Sequence, residues 1–293
     1  MRPIRKLYLQ NSSGERWSFN GDGGSYAANL SGLGVTLSPT YADLSRGFFL
    51  PVGGDSEPQG TIAFTAVFVG AAYSLYQSFV NWLSAAESLT LCYDPVGDQE
   101  YWRDVEVNFA QKGELNEVGW LEVPCSFFAL TPWYKPVPSS LSLLNSGTDE
   151  SKRYSYVYTD DLAYGTDSSS SLSGTIVGHG HVPGALDLVV YGAIVNPTIR
   201  LVGNVSGKTY GVCSVTATLA ASDRLEYSSR YRDSYIRKVS PAGVATDLLD
   251  ALDLSTTPFF KIPVSEPCSI SIEADATFAG SADLVVYYYY RSV

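Results

Sequence analysis

Two neighbouring stretches decide the fold: Tyr101-Trp-Arg-Asp-Val-Glu-Val-Asn-Phe109 and Trp120-Leu-Glu-Val-Pro-Cys-Ser-Phe-Phe-Ala129. In the first, Tyr101, Arg103, Val105, Val107 and Phe109 alternate with Trp102, Asp104, Glu106 and Asn108. In the second, Leu121, Val123, Cys125, Phe127 and Ala129 alternate with Trp120, Glu122, Pro124, Ser126 and Phe128. A period of two sends successive side chains to opposite faces, so both stretches read as half-buried strands. The loop Gly113 to Gly119 joins them. Pro124 cannot donate a ladder hydrogen bond and predicts an edge or a bulge.

Working upstream, residues 89–94 form a short strand ended by Asp94-Pro95. Before it, Leu75, Tyr76, Phe79, Val80, Trp82, Leu83 and Ala86 recur at steps of three and four, which predicts a helix over 71–86 with one apolar stripe lying on a sheet. Residues 60–69 alternate as a strand, 34–38 form another, and 4–9 with 15–19 make a hairpin across Asn11-Ser12-Ser13-Gly14. Downstream, Thr131-Pro132-Trp133-Tyr134-Lys135-Pro136-Val137-Pro138 reads as a stiff extended connector. The domain boundary is placed there, giving domains 1–137 and 138–293. The second half holds strand candidates at 154–158, 172–177, 185–192, 197–203, 209–219, 224–231, 234–240, 258–262, 268–276 and 283–290, which argue for a two-sheet sandwich or jelly roll. Asp160 to Ser171 reads as a loop, and Asp247 to Leu252 as one helical turn.

The composition excludes more than it assigns. Of 293 residues, 45% are hydrophobic and 17% charged, which rules against disorder and coiled coil. Nineteen basic against 30 acidic residues give a net charge of −11, a poor balance for holding nucleic acid or an anionic membrane. Residues 1–137 carry 8 basic and 14 acidic side chains and residues 138–293 carry 11 and 16, net −6 and −5. Twelve Phe, 5 Trp and 21 Tyr suit a pleated surface. No signal-length apolar run follows the N-terminal charges, and none reaches the ~20 residues of a membrane helix, so folding in a cytosol is expected. Cys92, Cys125, Cys213 and Cys268 lie far apart among apolar or small neighbours and read as buried, reduced thiols.

No catalytic residue, cofactor or metal is expected. The two histidines, His179 and His181, exclude a three-histidine site, and their flanking glycines suggest an exposed turn over a chelating pair. The many carboxylates carry no local signature of a glycosidase pair. Asn20 to Gly24 is Gly-rich but lacks the Lys and helix of a phosphate cradle. Arg224 to Val239 interleaves cations with Tyr227, Tyr231 and Tyr235 in a manner open to single strands, but Glu226 and Asp233 favour a solvated hairpin or subunit contact. Tyr287 to Tyr290 must divide between two strand faces, two inward and two outward; burial against another element is expected over a sugar platform.

Tyr73 to Leu83, Leu89 to Pro95, Tyr101 to Val107, Lys112 to Leu115 and Phe127 to Tyr134, with Ser31 to Gly34 before them, resemble in order and spacing the core of phage distal tail proteins over residues 1–137. More weakly, Asn196 to Leu201 and Pro258 to Ile262 resemble that family's variable C-terminal domain, although Val264 to Cys268 stands where relatives carry a Gly-Asn turn. The resemblance implies a mainly β protein: an N-terminal β-sandwich or split-barrel ring domain with one helix, then a galectin-like or carbohydrate-module-like β-sandwich. It implies a structural virion protein of a siphophage-type tail, assembled in the host bacterial cytoplasm. Copies would form a hexameric ring at the distal end, joining the tail tube protein to the tail tip or tail-associated lysin and to receptor-binding or baseplate proteins. DNA would pass without specific binding, and an acidic ring would repel its phosphates. Open strand edges paired around a ring would remove an aggregation hazard. The helix 71–86 is expected to pack inside its own subunit. The residues expected at the subunit interface are Trp102, Arg103, Lys112, Glu114, Trp120, Pro124, Trp133 and Tyr134. The alternative is a carbohydrate-binding or carbohydrate-cleaving sandwich, which the absence of Trp from residues 138–293 disfavours.

Overall fold

The computed structural model describes residues 5–34, 41–43, 49–51, 59–141, 171–275 and 281–293. The chain divides into two compact units, Met1–Lys135 with Tyr290–Val293, and Pro136–Tyr289.

The first unit holds β1 (Lys6–Asn11), β2 (Arg16–Ser18), β3 (Ser25–Ser31), β4 (Tyr41–Asp43), β5 (Phe49–Pro51), β6 (Thr61–Phe68), α1 (Ala72–Ala85), β7 (Leu89–Asp94), β8 (Tyr101–Ala110), β9 (Leu121–Ala129) and the start of β10 (Trp133–Leu141). β1 and β2 form the expected hairpin, with Gly14 at φ +84° and the Asn11 side chain accepting the Glu15 N–H at 2.9 Å. Antiparallel pairing runs β3–β6–β9–β8–β7–β1–β2. The strand expected at 34–38 lies outside the described residues apart from Gly34.

Alternation builds the core of this unit. Ile62, Phe64, Ala66 and Phe68 of β6 and Leu121, Val123, Cys125 and Phe127 of β9 are buried together. The α1 stripe closes over them: Phe79 is fully buried, with its ring centroid 5.2 Å from Trp17, 5.6 Å from Phe19 and 5.7 Å from Phe68. Burying one such side chain stabilises by roughly 1.5–3 kcal/mol.

β8 serves two neighbours. On one edge Tyr101 to Val105 pair with β7; on the other Val105 to Ala110 pair with β9. The register slips between Val107↔Phe127 and Phe109↔Ser126, so Asn108 is one extra residue, a β-bulge. This corrects the simple alternation. Past the bulge Phe109 stands opposite Ser126 and Ala110 opposite Cys125, so Ala110 packs on the core and Phe109 is turned to the outer face.

Pro124 departs from its expectation as well. β9 lies between β6 and β8 and is no edge strand. The Pro124 carbonyl accepts the Gln111 N–H at 3.0 Å, so its missing N–H also points toward the β8 side, and no bond to Thr65 of β6 is lost. The Pro-rich stretch is extended, as a connector would be, but as a strand. It enters strand β10, Tyr134 pairs with Trp102, and the division between units falls inside that strand. Tyr290 groups with the first unit, its ring edge-on to Tyr101 at 5.3 Å.

The second unit holds β11 (Leu172–Val177), β12 (Val182–Tyr191), β13 (Ile194–Val195), β14 (Thr198–Gly203), β15 (Thr209–Ser214), β16 (Thr218–Leu219), β17 (Arg224–Ser229), β18 (Ser234–Val239), β19 (Ala245–Asp247), β20 (Pro267–Glu273) and nearly all of β21 (Ser281–Tyr290). One sheet orders β19–β18–β17–β12–β21, a second β11–β20–β14–β15, and β13 pairs with β16. Leu186, Leu188, Leu225 and Leu284 of the first sheet pack with Ile199, Leu201, Ile270 and Ile272 of the second in one buried cluster, as in a two-layer sandwich. The helical turn is a short 3-10 segment, Leu249–Ala251. The expected strand 209–219 is broken in two, and 258–262 makes only an isolated bridge, Gly184↔Ile262. Residues 154–158 and the loop 160–170 lie outside the described residues.

Candidate assembly interface

The eight residues expected at a subunit contact fall into two groups in the first unit. Lys112, Glu114, Trp120 and Pro124 sit on the β8–β9 hairpin, all exposed. Its turn is built by Asn116, whose side-chain oxygen accepts the N–H groups of Val118 (3.2 Å) and Trp120 (2.9 Å). Gly113 lies against the strand; a Cβ there would stand 2.7 Å from the Glu122 carbonyl oxygen. The hairpin is tied to the start of α1. Tyr73 donates its hydroxyl to Glu114 at 3.1 Å, and the Lys112 ammonium lies 4.8 Å from the Tyr73 ring centre. The bond to Glu114 holds the Tyr73 phenol above its ordinary pKa.

Trp102, Arg103, Trp133 and Tyr134 form the other group, where β10 meets β8. Arg16 lies over the Trp102 ring at 5.0 Å and bonds Glu100 at 3.0 Å. Arg103 donates to the Thr131 carbonyl at 2.7 Å, and Tyr134 donates to Asp104 at 2.9 Å. Trp133 is a correction: its side chain is 0% exposed and belongs to the core, so it offers no contact to a neighbour.

Sequence reasoning picked out Trp120 but did not single out Phe109, Leu115 or Val118. Among the described residues of this unit the large exposed hydrophobics are Phe109 (45%), Leu115 (41%), Val118 (67%) and Trp120 (38%), all in one hairpin, with Tyr73 at its foot and Val96 elsewhere. Leu115 and Val118 in a Glu- and Gly-containing loop were a legible signal; Phe109 was not, because the bulge decides its face. Exposed apolar side chains gathered in one hairpin make it a candidate interaction surface.

Other sequence candidates end up in structural roles. The two histidines flank Gly180 (φ +103°) between β11 and β12, with the His179 ring edge-on to Tyr288 at 5.0 Å. Among the described residues no group of three His, Cys, Asp or Glu is placed to hold a metal. The Arg224–Val239 segment is the β17–β18 hairpin, where Arg224 and Arg237 both pair with Glu226, Lys238 pairs with Asp223 and Arg230 with Asp233. In the tyrosine run Tyr289 is buried and Tyr287, Tyr288 and Tyr290 are half-buried, so none stands out as a platform. Tyr287 donates to Asp187 at 2.8 Å. All four cysteines are free and buried. No described helix is long and apolar enough to cross a membrane.

Residues 6–130, which contain the hairpin group and Trp102 and Arg103 of the other, match the family model of the distal tail protein, N-terminal domain. This segment is a distal tail protein N-terminal domain. The distal tail fold extends over the chain. It matches a chain of the phage P2 baseplate in its activated conformation with Ca at TM-score 0.68 and 16% identity, covering 99% of this chain and 100% of that one. It also matches the phage SPP1 Dit protein, described as a paradigm of hub adsorption apparatus in phages infecting Gram-positive hosts, at TM-score 0.58 and 9% identity, covering 96% and 99%. No curated protein matches. At 16% and 9% identity these neighbours speak for the fold along the chain, and the domain match covers residues 6–130.

Proposed function

We propose that this chain is the ring-forming hub at the distal end of a phage or phage-like tail, with no catalytic role. The observation that carries the reading is the distal tail domain over residues 6–130 within a fold matched along its whole length. In this reading residues 1–137 form the ring and 138–293 project outward. Six copies join through the β8–β9 hairpin, with Lys112, Glu114, Trp120 and Pro124 at or beside the contact. Trp102, Arg103 and Tyr134 form a second surface toward a neighbour. The ring joins the tail tube protein to tip, lysin, receptor-binding or baseplate proteins in the virion, after assembly in the host cytoplasm. The concentrated apolar exposure supports the assembly. The net −6 of residues 1–137 suits a bore that DNA crosses without sticking. Multi-angle light scattering on the purified protein tests it: a concentration-dependent rise toward six copies is expected, and a monomer at every concentration overturns it.

A further inference from the structure

An exposed charge and a bulge-turned aromatic on β8 have counterparts elsewhere in the same unit. On the outer face of β8, Phe109 and Glu106 stand side by side: Glu106 pairs with Phe128 and Phe109 with Ser126. Both are exposed, and Glu106 makes no ion pair among the described residues. Across the sheet, beside β1 and β3, lies a cavity of about 210 Å³ walled by Leu7, Phe19, Asn20, Tyr26, Ala27 and Leu30, with Arg5 in its lining. Arg5 too is exposed and makes no ion pair among the described residues.

The volume selects the class of occupant. Small-molecule pockets run to roughly 300–1,000 Å³, whereas an apolar cavity of about 150 Å³ already holds a benzene ring. This one suits a single aromatic side chain. Its ring and aliphatic walls with a cation beside them suit an aromatic group flanked by a carboxylate, and Asn20 adds one polar wall.

The chain's own Phe109 does not fill it. The row Phe109, Ser126, Ala63 and Ser31 runs from β8 through β9 and β6 to β3, so knob and cavity are separated by the width of those strands. Two different patches that complement one another make a head-to-tail contact, the kind that closes rings. We propose that Phe109 of one copy inserts into the cavity beside β1 and β3 of the next, with Glu106 facing Arg5 of that next copy. The bulge at Asn108 then has a purpose, since it re-aims Phe109 out of the core and toward the neighbour. This contact rests on the ring reading and names the surfaces that would make it.

Charge exchange tests it. Light scattering is compared for the wild-type chain, Glu106→Arg, Arg5→Glu and the double variant, with circular dichroism to verify folding. Each single reversal sets like charges against each other and is expected to raise the dissociation concentration about tenfold or more, while the double variant restores assembly. A second readout pairs Phe109→Cys with Leu30→Cys: oxidation is expected to give a covalent ladder between copies, over a low background because the native thiols are buried. If the wild type assembles, the charge variants assemble equally and the cysteine pair does not cross-link, this contact is wrong and the ring reading stands. If the wild type never assembles, the ring reading fails and takes this contact with it.

Discussion

Glu266 shows how one side chain holds a turn in place. Its carboxylate accepts the Ser206 hydroxyl (2.6 Å), the Tyr210 hydroxyl (2.5 Å) and the N–H groups of Ser206 (2.9 Å) and Val205 (3.0 Å). These donors, the Ser206 hydroxyl foremost, lower its pKa to about 2. A depressed carboxylate stabilises the fold above its ordinary value of 4.5, and that contribution is lost as pH falls through about 2. Melting curves of wild type and Glu266→Gln should therefore differ at pH 6 and converge between pH 4.5 and 2; a constant difference across that range would contradict the assignment. Tryptophans separate at the same scale. Trp133→Ala should cost about 3–5 kcal/mol in urea unfolding, because the ring is fully buried beside Tyr93 and Arg103. Trp120→Ala should cost under about 1 kcal/mol in the unassembled chain, since the ring is exposed and its recorded ring contact is with Tyr26. Equal losses would show that the burial assigned to Trp133 is wrong. Sequence alone treats the two alike, because both stand at or next to the start of a strand.

The elements were legible where one periodicity ran unbroken. β6, β7 and β9 and the α1 stripe follow their sequence patterns within a residue or two. Legibility fails where a local backbone event resets the phase. The extra Asn108 flips Phe109 outward, and nothing in a period of two announces it. Phe109→Ala should then leave the unassembled chain within about 1 kcal/mol of wild type, whereas Phe127→Ala, on the core side of β9, should cost about 3–5 kcal/mol. Chemical denaturation of both variants checks this, and a comparable loss at Phe109 would put that ring back in the core. Residues 258–262 fail for another reason. Phe260 and Ile262 are buried as a strand's would be, but Pro258 and Pro263 remove donors at both ends, leaving the one bridge to Gly184. Pro124→Ala should be nearly neutral in the same assay, since Pro124 is exposed and its missing N–H points away from β6; a large loss would contradict that reading of the ladder.

At the scale of the whole molecule, two β units were readable from strand spacing, and the family resemblance was carried by the same stretch that the distal tail domain covers. The interface was only half readable. Charged and aromatic residues of the hairpin stood out in the sequence, while Trp133 looked alike in kind and proved to be core. Burial is a property of the assembled fold, and residue type does not reveal it. The proposed ring is a property of several copies and is tested at that scale. Negative-stain electron microscopy of the purified full-length protein addresses that most directly. Class averages with six-fold rings around an open centre are the expected result; particles of single-chain size at all concentrations, with no closed ring, would contradict the account.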